Sequence, residues 1–564
     1  MRSRFLSALV AALALAGAAS ADPPKPAVVI QAQPVSRVLT DVREVVRQVG
    51  GAAQGEAMAK DFEKGLKETL GEKGFDGLDI NRPVAAYAVL KDKPEDCGLV
   101  VVLPVTAEKD FVAFLERVHI KAEAADGKKG VYELDLPNDE MFPKGSHLQF
   151  VPGGWAYLTL NDGDPTDPKE FVAIGDLLNN ADTALVSVRV YPGRLPPKLV
   201  AAGLDGVDMM AGGFKMFIGN APGAGPKAMA TALDEGPKLV RRYAEAAMKE
   251  AEEVRFAAAF DPATGDKALE LVVTPKPGTA LAKELAAVAP TANRFAAVVT
   301  KDAAAAVLFK APLFAKELRD IAGAFADAGA AELNDSPLPE KLRPLVAEGL
   351  KGVGRAWRAG SGDGALVLNG PNADGKFTVV AALALDDPAA LDKALRELAK
   401  DADLGKEIEL DAAKAAGGSV HKVPLHRVLP EGGGESFAKV FGDKPVGAVA
   451  VGKDAVVVAF GPGAVEAARA ALEAKPAPAA AVEVTANMSK LHKLVALTDP
   501  MEGQMFAKMM GTADKSVPAL RVTVAGGEKL TVRATVNVQM LPRMLLVGEN
   551  STTTFEKVGE AVKP

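Results

Sequence analysis

Strand, turn, strand and helix are written twice into this chain. Residues 364–400 read GALVLNGPNADGKFTVVAALALDDPAALDKALRELAK: an apolar run, a turn, a second apolar run, then a helical stretch opened by Asp and Pro. Residues 84–118 read VAAYAVLKDKPEDCGLVVVLPVTAEKDFVAFLERV and place the same four parts in the same order. The offset stays near about 280 residues whether it is taken from Pro34 to Pro312, from Ala85 to Gly364 or from Thr106 to Asp386. A repeat of this length constrains the fold more than any local propensity, because both copies must bury the same elements in the same way.

The correspondence runs on with drifting offsets, as loop insertions produce. Residues 131–134 match 420–423, and 147–160 match 445–460, with Gly153-Gly154 and Gly452-Lys453-Asp454 as turns. Helices are expected near 168–178 and 463–472. Residues 185–201 match 481–496, and the hairpins 254–273 and 520–538 close the copies. Val522, Val524, Leu530, Val532, Ala534 and Val536 alternate strictly, which predicts one buried and one wet face. Upstream, 26–33 reads as a strand, and Val35, Val38, Val42, Val45, Val46 and Val49 predict a helix over 35–49. Thr106 and either Asp386 or Asp387 are expected to cap the helices that follow them.

The expected fold is therefore α+β. Two tandem divergent copies, 22–286 and 290–548, each form a mostly antiparallel sheet with helices packed on one face, and 549–564 is a polar tail. A chain of 564 residues is too long for one core. Hydrophobic residues make up 48% but aromatics only 5%, so burial relies on Ala, Val and Leu.

The first 21 residues have the form of a signal peptide: Arg2 and Arg4, an apolar stretch over 5–18, and Ala19-Ser20-Ala21 as a small-x-small cleavage site. The apolar stretch is short for a membrane span, and no later run is long enough, so no integral span is expected after cleavage. The lone Cys97 leaves an exported chain without an internal disulfide, held by packing alone. A net charge of −7 without a basic stripe argues against a nucleic-acid partner.

No catalytic pattern emerges. His119, His147, His421, His426 and His492 show no metal-ligand spacing and read as surface or satisfied histidines. The surroundings of Ser361 and Ser436 fail as nucleophile elbows, and 219–230 lacks the Gly-Lys-Ser/Thr ending of a phosphate loop. Asp162, Asp164, Asp167 and Glu170 could offer oxygens to calcium but fit a turn and helix cap better. No cofactor is expected. Trp357 lies between Arg355 and Arg358, either of which could stack on its ring.

One feature recurs at about the same point of both copies. Met209, Met210, Phe214, Met216 and Phe217 cluster in the first, and Met501, Met505, Phe506, Met509 and Met510 in the second. Methionine adapts to irregular apolar partners, so these residues either fill core gaps or line a surface for a lipid or partner protein.

The leader, the Ala/Pro-rich composition and the phrase GKDAVVVAFGPGAVEAARAAL (452–472) resemble uncharacterised exported bacterial proteins of the planctomycete type. That resemblance implies repeated α+β units and carries over no functional residue. The expected function is that of an exported, soluble, non-catalytic protein that binds or scaffolds, with an apolar ligand or an envelope protein as its partner. The alternatives are a carrier of an apolar ligand or lipid, and a hydrolase whose site assembles only in space.

Overall fold

The strand ladder extends to both sides of Val28–Ala32 and, in the same way, to both sides of Ala303–Phe309. In the computed structural model the chain divides into two compact units: residues through Asp205 together with Glu245–Lys276, and Gly206–Ala244 together with the chain from Pro277 onward. The structure describes residues 25–93, 97–135, 146–160, 166–218, 226–261, 266–310, 316–333, 340–360, 362–415, 417–424, 434–443, 445–510 and 520–537.

The first unit contains β1 (Val28–Ala32), β2 (Val84–Val89), β3 (Gly98–Pro104), β4 (Lys121–Ala124), β5 (Val131–Asp135), β6 (His147–Val151), β7 (Trp155–Leu160), β8 (Val186–Val190), β9 (Ala251–Asp261) and β10 (Asp266–Pro275). All its pairings are antiparallel, in the order β4-β5-β6-β7-β3-β2-β1-β8-β9-β10. The second unit contains β11 (Thr291–Asn293), β12 (Ala303–Phe309), β13 (Gly364–Asn369), β14 (Thr378–Ala384), β15 (Glu409–Ala415), β16 (Gly418–Val423), β17 (Gly447–Val451), β18 (Ala455–Phe460), β19 (Ala477–Ala479), β20 (Val482–Ala486), β21 (Leu520–Ala525) and β22 (Leu530–Asn537). Here the antiparallel order is β15-β16-β17-β18-β14-β13-β12-β20-β21-β22, with β11 and β19 forming a small separate ladder. Strand for strand, this is the order of the first unit.

The helices are α1 (Val35–Leu70), α2 (Glu108–Arg117), α3 (Ile174–Leu177), α4 (Pro197–Ile218), α5 (Pro226–Glu250), α6 (Ala280–Ala287), α7 (Lys316–Glu332), α8 (Arg343–Ala359), α9 (Ala389–Leu398), α10 (Gly434–Phe441), α11 (Ala464–Leu472), α12 (Met488–Thr498) and α13 (Pro500–Met510). The helix expected over 35–49 continues to Leu70 but does not run straight. Arg43 meets Glu63 at 3.0 Å, whereas a straight helix would hold them about 30 Å apart, so the segment doubles back on itself.

Two local expectations fail. The N-caps of α2 and α9 are Ala107 and Pro388, neither of which makes a side-chain capping bond. Thr106 stands one position too early, and its N–H bonds Gly77 O. The helix expected over 168–178 is split into a tight turn at Pro168–Glu170 and the short α3. Between them Phe171 is extended and, with Val172, buried.

Helices also cover both faces of the sheet, not one. Ala448, Ala450, Val457 and Ala459 pack with Ala464, Ala468, Ala471 and Leu472 of α11. Their strand neighbours Val449, Val451 and Val456 pack instead with Leu391 and Leu395 of α9 and Ala356 of α8. Successive strand residues point to opposite faces. β17 and β18 read GAVAV and AVVVAF, apolar at almost every position, so each face needs a cover. The first unit behaves alike: Tyr157 joins Phe171 and Leu177 on one face, while Ala156 joins Phe111 and Leu115 on the other.

Candidate ligand-binding cavity

The face of the second sheet that receives α8 and α9 is incompletely filled. Helix α8 is amphipathic, with Leu345, Val346, Gly349, Leu350, Val353 and Trp357 recurring along one stripe. It stops at Gly360, whose φ of 74° suits glycine and whose N–H bonds the carbonyls of Ala356 and Trp357. Opposite the stripe lie Leu366, Ala381, Leu383, Val449, Val456 and Val458 of the sheet, and α9 adds Leu391 and Leu398. These elements enclose about 570 Å³, within the usual size of a small-molecule site.

Two sheet residues mark the opening. Leu366 is 50% exposed and Val458 36% exposed, although β13 and β18 are interior strands. An interior strand ordinarily hides such side chains, so this is an apolar surface without its full cover. Small residues create the space: Gly349 on the helix and Ala381 on the sheet stand where larger ones would close it. Among the described residues lining the cavity none carries a charge. Trp357 contributes apolar ring surface, while its indole nitrogen is buried away from any water-sized space and makes no hydrogen bond. The Trp357 ring meets Phe309 edge-on at 6.5 Å. Arg355 pairs with Glu348 and Arg358 with Asp327.

A polar cluster fastens α9 beside this cavity. His421 is fully buried; its Nε2 lies 3.0 Å from Asp392 Oδ1, and its Nδ1 accepts from the Asp411 N–H at 3.1 Å. A backbone N–H can only donate, so the proton sits on Nε2 and points to Asp392. Arg396 then bridges Asp392 and Asp411. The register of β15 shifts between Glu409 and Ala413, and Asp411 takes a φ of 55° there. Burial pushes the His421 imidazole below its ordinary value against the pull of Asp392. Hydrogen bonds from Arg396 and Ser419 hold the Asp411 carboxyl well below the usual range. Both ring nitrogens of His421 are occupied, which is the satisfied histidine expected from sequence and leaves no lone pair to activate a nucleophile.

The other expected features fall elsewhere. Met209 on α4 and Met501 and Met505 on α13 are exposed by 77%, 78% and 62%, so these three do not fill core gaps; Phe506 is half-buried. The side chains of Met210, Phe214, Met216, Phe217, Met509 and Met510 lie outside the described residues, as do Asp162, Asp164, His426, the leader and the polar tail. Asp167 caps the turn that follows it through the Lys169 N–H, and Cys97 is buried and free. A polar depression of about 460 Å³ in the first unit includes Arg117, which is spent on the carbonyls of Gly74 and Asp76. Among the described residues no group of His, Cys, Asp and Glu is placed to hold a metal ion, and no helix is long and apolar enough to cross a membrane.

Sequence reading passed over the cavity. Its signal was the α8 stripe, in which Leu345, Gly349, Val353 and Trp357 stand four apart. No protein-family model, curated protein or solved structure matches this chain.

Proposed function

We propose that this is an exported, non-catalytic binding protein made of two divergent copies of one α+β module, and that the second copy carries an apolar ligand. The observation that carries the ligand reading is the 570 Å³ apolar cavity under α8, open at Leu366 and Val458. Burying a ligand chain there would gain about 0.8 kcal/mol per methylene. The repeated strand order supports the two copies, and the Arg2/Arg4 leader with its apolar stretch supports export. The resemblance to exported planctomycete-type proteins agrees with both.

Native mass spectrometry of protein purified from its own envelope, with organic extraction, tests the ligand reading. An apolar molecule should co-purify with the wild type and be absent from Ala381→Phe, which fills the cavity. A clean, ligand-free wild type that also takes up no added apolar probe overturns it. Scaffolding keeps one observation in its favour: Met501 and Met505, four residues apart on α13, present an exposed apolar stripe that a partner protein could cover.

A further inference from the structure

The polar cluster beside the cavity lies in line with its floor. Leu366, Ala381, Val458, Val449 and His421 stand directly opposite one another on the successive strands β13, β14, β18, β17 and β16. Paired residues share a face, and the first four line the cavity, so His421 ends the same row about 5 Å beyond Val449. We infer that His421 is a pH-sensitive positioning residue for this site: its protonation loosens α9 and lowers the affinity of the cavity for its apolar occupant. This rests on the apolar-ligand reading above and adds to it a regulation.

The device follows from where each proton sits. His421 is fully buried, so it acts through α9 rather than on the ligand. Leu391 and Leu398 of α9 line the cavity, while Asp392 and Arg396 of the same helix belong to the cluster. Nδ1 accepts from the Asp411 N–H at 3.1 Å, and a proton added there turns two donors toward each other. The pairing of β15 with β16 is interrupted between Glu409 and Ala413, so it is the ring that fixes the Asp411 N–H. That N–H must move away, and with it the carboxyl that holds Arg396. Around the ring, α9 presents Asp392 and Arg396, and β15 presents Asp411, which Lys414 approaches at 3.7 Å; β17 has no titratable residue. Burial opposes the charged ring more strongly than Asp392 favours it, so the folded arrangement suits the neutral form. An empty cavity gives α9 room to yield, and an occupant takes that room away. Occupant and ring proton therefore oppose each other, and by linkage each weakens the other equally.

The test titrates the full chain, stripped of bound apolar material on a hydrophobic resin, with the neutral fluorophore N-phenyl-1-naphthylamine at pH 8 and pH 5. Far-UV circular dichroism checks the fold at both, and the lower reading moves to pH 6 if the chain unfolds at pH 5. Affinity should be about fivefold weaker at the lower pH. His421→Gln removes the titrating ring and should abolish that difference, whatever its own affinity. Should that variant unfold, His421→Asn, whose side-chain oxygen can accept near the Nδ1 position, must give the same loss of pH dependence. Binding to the wild type should also release protons at the lower pH and none at pH 8, read by calorimetry in two buffers of different ionisation enthalpy. Equal affinity at the two pH values, a difference that survives loss of the ring, or binding at the lower pH without proton release overturns this inference and leaves the apolar-ligand reading standing. If the fluorophore binds the wild type at neither pH, both fall.

Discussion

The two units build the same strand order and fill the space beneath it differently. Followed through the pairing register, Phe111 of the first unit falls where Leu391 stands in the second, Phe114 at Ala394, Phe150 at Val451 and Tyr132 at His421. In the first unit the rings pack on one another: Phe111 lies 5.9 Å from Phe114 and 6.1 Å from Phe150, and Tyr132 lies 5.8 Å from Phe150. Of their counterparts in the second unit only Leu391 lines the cavity, and Tyr132, which bonds Glu108, is replaced by the His421 network. The frame alone therefore does not dictate a cavity. The same strand order accommodates different side chains beneath it, and an unfilled space of this size carries a standing cost in stability.

That contrast can be broken first at its centre. Phe111 is 1% exposed, and Phe111→Ala should destabilise the first unit by about 3–5 kcal/mol. Leu391→Ala in the second unit should cost nearer about 2 kcal/mol, because its neighbourhood already borders a void. The two tryptophans make this measurable. Trp155 lies in the first unit and Trp357 in the second, so urea unfolding in the single-Trp backgrounds reads each unit separately. Equal costs would mean that the two spaces are equally packed.

A smaller effect runs in the opposite direction. Val458→Phe adds a ring to the cavity side of β18 and should stabilise the second unit by about 1 kcal/mol. The same variant should weaken the binding of decane, read by displacement of the neutral fluorophore N-phenyl-1-naphthylamine. Stabilisation without any loss of binding would place the bound molecule elsewhere.

The smallest effect sharpens the comparison at position 421. The folded His421 value is lowered, so folding favours the neutral ring. Its contribution is complete above the ordinary histidine value near about 6.5 and is lost as pH falls through the lower folded value. Asp392, Arg396 and Asp411 face the ring, and Asp411 stays ionised throughout that window. The urea midpoint of the second unit should fall between pH 7 and pH 5, and His421→Gln should flatten that slope. An unchanged slope would assign the titration to another group.

How much of this was legible follows from the range of each interaction. Alternating and continuous apolar runs located the strands, because the side-chain period of a strand is local. Gly153-Gly154, with φ of 92° and 74°, and the Gly452 turn were legible because a tight hairpin restricts its residues. The caps were misread because Thr106 and Asp387 differ from Ala107 and Pro388 by a single position, which sequence does not resolve. The exposure of Met501 and Met505 was equally hidden, since an apolar stripe does not say whether anything covers it.

By itself, then, the sequence determined the order of strands and turns, the repeated pattern with its near-constant offset, and the near absence of chemistry-bearing motifs. The tertiary structure decided that helices cover both faces, that His421 is locked between Asp392 and Asp411, and that a cavity lies under α8. The reason is physical. Secondary structure is set by neighbours a few residues apart, whereas empty volume is a difference between the side chains that meet and the space they must fill. Leu345, Ala381, Leu391 and Val458 come from four separate elements, and the space between them exists only after all four have been placed.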